Sequence, residues 1–531
     1  MTNTNQQSQE QDEQLLKAAY KHYEKKYIDK VIELLAQVSP INKEPYAKAQ
    51  FNLGVVLEEK GEIDEAIEAY KRVPEEIKEQ YAKAQLNLGV TLKEKGEIDE
   101  AIKAYKCVPE EIKEQYAMAQ FNLGVTLKEK GEIDEAINAF TNAKVNYYYE
   151  SESKIKILNI FQTDNGDGAV FSDQLNKLYT DVVKILNELI ISDDTITYEK
   201  RFAHYTRCQI AYSLLEPDEK EIPTFRLNAL HKVNDPTEGK VLYQFLDKYD
   251  LDKQQNMLPS LIPFISCFTF NHDSLNQFRL YGKEDNKEAL GVSLVFGKGF
   301  FSKETDFLNS SINPFENLKK QVNEKIFVNV SDSHNKNDNE SSNAIGPLHL
   351  YRCIYLSPEN GYISIAHRDK YTFFEEMNGK DRETIEMCWD EYKGKIKEKT
   401  EKIYKTLEYI YKEILRKLFK RLNNDECKVD WEFRSEIIST INFILLPLRY
   451  LIKHYGFEDE QECRMIYITE FTKHIPHNKE ENSIYVEYSE PVRDNIKKIY
   501  LSSGAVDKQG MFQIMLEKPI VRLSNKPFKN K

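Results

Sequence analysis

Apolar positions between residues 46 and 140 return with a fixed period. Phe51, Leu86 and Phe121 hold equivalent places in AQFNLGVVLEEKGEIDEAIEAY, AQLNLGVTLKEKGEIDEAIKAY and AQFNLGVTLKEKGEIDEAINAF, so the unit is 35 residues long. Within one unit Leu53, Gly54 and Leu57 lie at helical spacing, then comes Gly61, then Ala66, Ile67 and Tyr70 at helical spacing again. This pattern predicts two helices joined by a turn. Gly61, Gly96 and Gly131 stop the first helix, where a left-handed residue costs glycine least, and Pro74 and Pro109 mark the exit from the second. Small residues such as Gly54 and Ala66 let helix axes cross closely. Neither helix buries its apolar face alone, so a period in the mid-thirties points to stacked helix pairs. Leu16, Ala19, Ile28, Asp29, Ile32 and Val38 fit the same offsets without the glycines, as a terminal cap would. The expectation is a disordered stretch over 1–13, then four antiparallel helix pairs over 14–145, with Ala66, Ala101 and Ala136 buried.

The repeated positions resemble the tetratricopeptide repeat: small, large apolar and glycine residues in the first helix, alanine and an aromatic in the second. The resemblance implies a protein or peptide partner, with self-association as another use of such an array. The concave face, built mainly by the first helices, is expected to expose Asn52, Asn87 and Asn122, with Gln50, Gln85 and Gln120 beside them. An amide both donates and accepts, which suits the backbone of an extended peptide.

After Phe140 the pattern decays into connecting helices over 146–199. DNGDG signals a turn, and Leu175–Ile191 reads as an amphipathic helix packing on the end of the array. From residue 200 onward come short runs bounded by turn residues: FAHYT, SCFTF, GVSLVF, HLYRCIYL, YISIAH, CRMIYI and KKIYLSS, which read as strands. Between them lies a polar loop, NVSDSHNKNDNESSN. Ile385, Trp389, Tyr392, Ile396, Ile403, Leu407, Ile410, Ile414, Leu418 and Leu422 mark one face of a long helix. The fold class is therefore multidomain: an all-α solenoid followed by an α+β domain over 200–531, with a helical insertion near 381–450.

At 531 residues the chain exceeds one core, in agreement with that division. A net charge of −13 disfavours sequence-independent nucleic-acid binding. The polar, acidic start MTNTNQQSQEQDEQ is unlike a signal peptide, and MLPSLIPFISCFTF is too short for a membrane span. Seven cysteines scattered singly read as reduced thiols, so the expected compartment is cytoplasmic and no metal site is expected. HExxH, GxxxxGK[ST] and GxSxG are absent, and so is a GxGxxG after a strand.

Polar residues cluster at the ends of the strand runs. They are His204-Tyr205-Thr206-Arg207, then Asn234-Asp235-Pro236 with Glu238, then Ser266-Cys267-Phe268 with Asp273 and Tyr281, and finally Glu460, Glu462 and Arg464. On a strand the last three project to one side. Two carboxylates beside a guanidinium are either a structural ion pair or an acid/base pair tuned by its neighbours.

The ordered set HYT, NDPxE, SCF, DSL with YG, ExExR and IYLSS over residues 200–528 resembles domain-of-unknown-function family 2971, which is similar in layout to ADP-ribosyltransferases. The resemblance implies NAD as substrate. His204 would bond the adenosine ribose, Tyr205, Thr206, Ser266 and Arg464 would belong to the binding site, and Tyr281 would stack on the nicotinamide ring. Glu462 would stabilise the oxocarbenium-like transition state and Glu460 would orient the acceptor. Phe278 departs from the family pattern, in which a tryptophan precedes the Tyr-Gly pair. The implied whole is a bacterial toxin or defence effector whose array recruits a partner. The alternative is a non-catalytic adaptor whose second domain buttresses the array.

Overall fold

The computed structural model describes residues 2–144, 148–163, 167–191, 198–215, 224–229, 239–246, 261–282, 290–301, 345, 348–377, 379–423, 429–470, 477–478, 483–516 and 520–525. Their contacts divide into two compact units, with the first covering the chain through Thr163.

The first unit is a run of helices: α1 (Thr2–Tyr23), α2 (Ile28–Ala36), α3 (Lys43–Lys60), α4 (Ile63–Lys71), α5 (Lys78–Lys95), α6 (Ile98–Lys106), α7 (Lys113–Lys130), α8 (Ile133–Ala143) and α9 (Tyr148–Gln162). The first eight form the four expected pairs. Gly61, Gly96 and Gly131 sit at φ 86°, 87° and 87°, the left-handed helix stop. Ala66, Ala101 and Ala136 are fully buried. A Cβ placed on Gly54 would lie 2.5 Å from Tyr70, so glycine is what allows that aromatic ring against the first helix. Successive long helices also touch, α3 on α5 and α5 on α7, which puts them on the inner side of the stack. Lys60, Lys95 and Lys130 each reach back one unit to Asp29, Asp64 and Asp99 at 2.9, 2.8 and 2.9 Å. These exposed rungs contribute little energy.

The expected disordered N-terminus is instead the start of α1. Asp12 explains part of its order. Its carboxylate is buried and accepts from Ser39 N at 3.1 Å and Asn42 Nδ2 at 2.6 Å, tying the helix to the loop after α2.

The second unit begins with α10 (Gly168–Leu189), a longer helix than the 175–191 segment expected. It does not belong to the array, for its apolar face packs within the second unit. Its partners there are two of the later helices. Then follow β1 (Arg201–Arg207), α11 (Cys208–Leu215), β2 (Phe225–Ala229), α12 (Val241–Phe245), β3 (Leu261–Thr269), α13 (Leu275–Tyr281), β4 (Gly291–Gly297), β5 (Tyr351–Arg352), β6 (Ile354–Leu356), β7 (Ile363–Ile365) and α14 (Lys370–Glu376). The helical insertion is α15 (Arg382–Tyr409), a π turn over Ile410–Leu415, α16 (Arg416–Leu422) and α17 (Trp431–Arg449), and α10 packs on α15 and α17. The chain closes with β8 (Ile452–His454), β9 (Glu462–Glu470), β10 (His477–Asn478), β11 (Ser483–Tyr488), α18 (Val492–Asn495), β12 (Ile496–Leu501), α19 (Gln509–Met515) and β13 (Ile520–Leu523).

All ten apolar positions marked on the long helix, from Ile385 to Leu422, are buried. The last four are spaced by four residues, which outruns a 3.6-residue turn. The π turn at Ile410–Leu415 takes up that excess and keeps them on one face.

The main sheet runs β10-β11-β2-β3-β1-β4-β12-β13, with β9 on the other edge of β3 and β5 beyond it. β3 and β9 pair along their whole length, Leu261↔Glu470 to Thr269↔Glu462. Alternation along these strands makes two unlike faces. One carries the aromatic core of Phe202, Phe225, Phe264, Phe268, Phe296 and Cys463. The other carries Ala203, Tyr205, Val295 and Tyr500 under Phe278, together with ionisable groups.

Candidate functional site

In the array, the asparagines expected to be exposed are not. Asn52, Asn87 and Asn122 are 6, 6 and 3 % exposed, and the neighbouring glutamines are buried too. The reason is visible at the seam between repeats. Asn87 Nδ2 donates to the Tyr70 hydroxyl at 3.3 Å, Tyr70 donates to Glu58 Oε2 at 2.9 Å, and Thr91 donates to the other oxygen of Glu58. The Asn87 amide is thus directed at the preceding helix pair rather than at solvent.

The next seam has the same Asn122, Thr126 and Tyr105, but Lys93 stands where Glu58 stood. An ammonium does not accept, and both Tyr105 OH and Asn122 Nδ2 lack a hydrogen-bond partner. The series Glu58, Lys93, Lys128 therefore changes sign along the inner side of the stack. It ends near Lys154 on α9. Burial pushes the Lys154 ammonium down to about 7, and the charge of Lys128 adds to this. Lys128 is itself lowered by burial.

In the second unit, Glu460, Glu462 and Arg464 do come together. Glu460 ends a 3-10 turn, and Gln461, at φ 46°, turns the chain into β9. Lys453 Nζ, on β8, lies 2.5 Å from Glu460 Oε2 and 2.5 Å from Glu462 Oε2. Arg464 Nε lies 2.5 Å from Glu462 Oε1, and its Nη1 donates to Tyr450 O at 2.6 Å. Burial opposes the charge on Glu462, but Arg464 and Lys453 hold its carboxyl well below the ordinary range. Glu460 is pushed up, by burial first and by the charge of Glu462. Lys453 was missed in the sequence, although a lone lysine inside YLIKHYG was a usable signal for a buried ion pair.

Tyr205 and Cys267 share this face of the sheet, and Tyr281 on α13 feels the charges of Glu462 and Glu460. The rest of the proposed NAD contacts do not. His204 packs edge-on to Phe225 at 5.1 Å and beside Phe268 at 5.5 Å, with Nδ1 2.9 Å from Cys267 O. Burial lowers its pKa. Thr206 and Ser266 are buried on that same aromatic side, Ser266 opposite Met465. The expected cleft shared by His204 and Glu462 is thus not formed. A two-residue period places them on opposite faces. Asn234, Asp235, Pro236 and Glu238 lie outside the described residues, as does the polar loop NVSDSHNKNDNESSN.

Two family models of the tetratricopeptide repeat match residues 32–82 and 82–106. The structure extends the same helix-pair geometry through α8. No curated protein matches the chain closely enough to count as a relative. Among the described residues no helix is long and apolar enough to cross a membrane. The N-terminal region is thus a tetratricopeptide-repeat array of a kind that serves protein–protein interaction, followed by a mixed α/β unit.

Proposed function

We propose that the array captures an extended acidic peptide segment of a partner protein along its inner side. The observation that carries this is the pair Lys128 and Lys154. Burial disfavours both ammonium groups as cations, the charge of Lys128 adds to this at Lys154 while Glu129 offsets part of it at Lys128, and a further carboxylate would stabilise both charged forms. The chain as a whole is acidic, so the preference is local and does not follow from net charge. Titrating the full chain with a fluorescein-labelled glutamate-rich peptide and a lysine-rich peptide of equal length tests it. Anisotropy should rise saturably for the first alone. Equal responses, or none to the glutamate-rich peptide, would remove the proposal.

A second reading, that the α/β unit cleaves NAD as an ADP-ribosyltransferase-like effector, is favoured by one feature. Glu462 is held ionised on the same face as Tyr205 and Tyr281. In this reading Glu462 faces developing positive charge at the nicotinamide ribose, and His204 acts only by supporting β3 through Cys267. Nicotinamide release from NAD, lost in Glu462→Gln, is its test. No release by the full chain, with or without cell lysate, leaves the adaptor reading alone.

A further inference from the structure

Arg368 is a buried cation that neither reading uses. It precedes α14, whose capping Asp369 accepts from Thr372 N at 2.9 Å, and its own backbone N–H donates to the Tyr392 hydroxyl at 2.8 Å. The side chain is 2 % exposed. Its Nη1 is paired with Glu376 Oε2, whereas Nε and Nη2 have no hydrogen-bond partner. A guanidinium stays charged when buried, so two unmet N–H groups are a standing demand for an acceptor.

On the far side of Glu376 sits His272, 3 % exposed. Its Nε2 lies 3.1 Å from Arg201 O and its Nδ1 lies 3.4 Å from Glu376 Oε1. A carbonyl only accepts, so Nε2 carries the proton. Burial holds this imidazole neutral, its pKa down to about 4, against the pull of Glu376. Nδ1 and Oε1 then face each other with no proton between them, and Oε1 has no hydrogen-bond partner. Two unused donors, Arg368 Nε and Nη2, and one unused acceptor, Glu376 Oε1, therefore meet at this carboxylate.

Three more cations border the cluster: Arg201 on β1, Lys498 on β12 and Arg522 on β13. The charge of Lys498 reaches His272, and those of Arg522 and Arg201 reach Lys498. Glu375 is the shared counter-charge of Lys498 and Arg522, whereas the charge of Arg201 reaches Glu376. Glu375 Oε1 lies 3.5 Å from Lys498 Nζ, 3.4 Å from Arg522 Nη1 and 3.0 Å from the Tyr500 hydroxyl. Asp273, the remaining carboxylate nearby, is engaged by Ser524 Oγ and Asn525 N. Four cations from four chain segments thus share two carboxylates, Glu375 and Glu376.

We propose that this cluster is an oxyanion site that takes the phosphoryl group of a small phosphorylated ligand, with Arg368 as its buried fork and Arg201, Lys498 and Arg522 as its rim. A tetrahedral phosphate offers acceptors in several directions, which a planar carboxylate does not. The O–H of its monoprotonated form is the donor that Glu376 Oε1 lacks. The site is independent of the peptide groove and of NAD cleavage at Glu462.

Calorimetric titration of the full chain with inorganic phosphate, and separately with ADP, tests it. The side chains of Arg201 and Arg522 are exposed, and Arg201 meets His272 only through its backbone. Arg201→Gln and Arg522→Gln should therefore fold as the parent does, while weakening binding by about tenfold each, in the range charge-assisted contacts supply. Arg368→Lys keeps the charge but loses the fork and should abolish binding. Saturable binding of phosphate, competed by ADP and weakened in the rim variants, is the expected result. Saturable binding of ADP alone, weakened in the same way, supports the site with a nucleotide as its occupant. No saturable binding of either ligand, or binding unchanged in both rim variants, overturns the proposal.

Discussion

Asn87 donates to the Tyr70 hydroxyl across a repeat seam, whereas Asn122 and Tyr105, the equivalent pair one repeat later, leave both donors unbonded. Of the four polar positions at the seam one differs: Lys93 stands in the place of Glu58. The same change should therefore have opposite signs at equivalent positions. Tyr70→Phe removes a bonded hydroxyl and should cost about 1 kcal/mol, while Tyr105→Phe removes a buried unbonded one and should stabilise by a similar amount. Denaturant melts of the two variants check this. Equal losses at both positions would show that the two seams are not different.

Close approach of the paired helices sets a second expectation. A Cβ on Gly89 would lie 2.5 Å from Tyr105. Gly89→Ala should destabilise the array despite alanine's better helix propensity, by about 1–3 kcal/mol, the usual cost of overpacking. Thermal unfolding of the variant, showing a rise instead, would place the ring elsewhere.

Legibility in the sequence tracked repetition. A motif stated three times fixed the helix pairs, the glycine stops and the buried alanines, because each position was confirmed twice. The seven strand runs were likewise readable, each apolar and flanked by turn residues, but β2, β8, β10, β11 and β13 were not singled out. Pairing was not readable, since strands distant in sequence meet only in the fold. That is why His204 and Glu462 were placed in one cleft, whereas the register of β1, β3 and β9 sends them to opposite faces. The asparagines failed for another reason. An amide at a seam and an amide in a groove have the same sequence signature, and only the partner, Tyr70 for Asn87, distinguishes them.

Glu462 gives a prediction that also bears on the NAD reading. Its carboxylate separates two buried cations, so Glu462→Gln should cost about 3–5 kcal/mol by leaving them uncompensated. Its folded pKa is depressed, so its contribution is present above the ordinary carboxylate range and is lost as pH falls below that range. The stability gap between parent and variant should therefore narrow on acidification. A gap that stays constant down to acid pH would mean that the charge is not what the cations need.

Lys154 predicts pH dependences of opposite sign for stability and for binding. Its folded pKa is about 7, below the ordinary lysine value. Between there and the unfolded value the unfolded chain binds more protons, so stability should rise with pH across that window. Binding of a carboxylate needs the protonated ammonium, so affinity for an acidic peptide should fall over the same window. Melting and anisotropy measured together across that range check both slopes, and parallel slopes would refute the assignment.

The most direct measurement is made on the double variant Lys128→Gln/Lys154→Met of the full chain, in the same buffer, for melting temperature and for affinity toward the glutamate-rich peptide. If the two lysines are held for a ligand's carboxylate, the free protein should gain about 1–2 kcal/mol as burial and repulsion are relieved, while peptide affinity falls by tenfold or more. Unchanged affinity, or a loss of affinity that merely follows a loss of stability, would contradict the peptide-capture account.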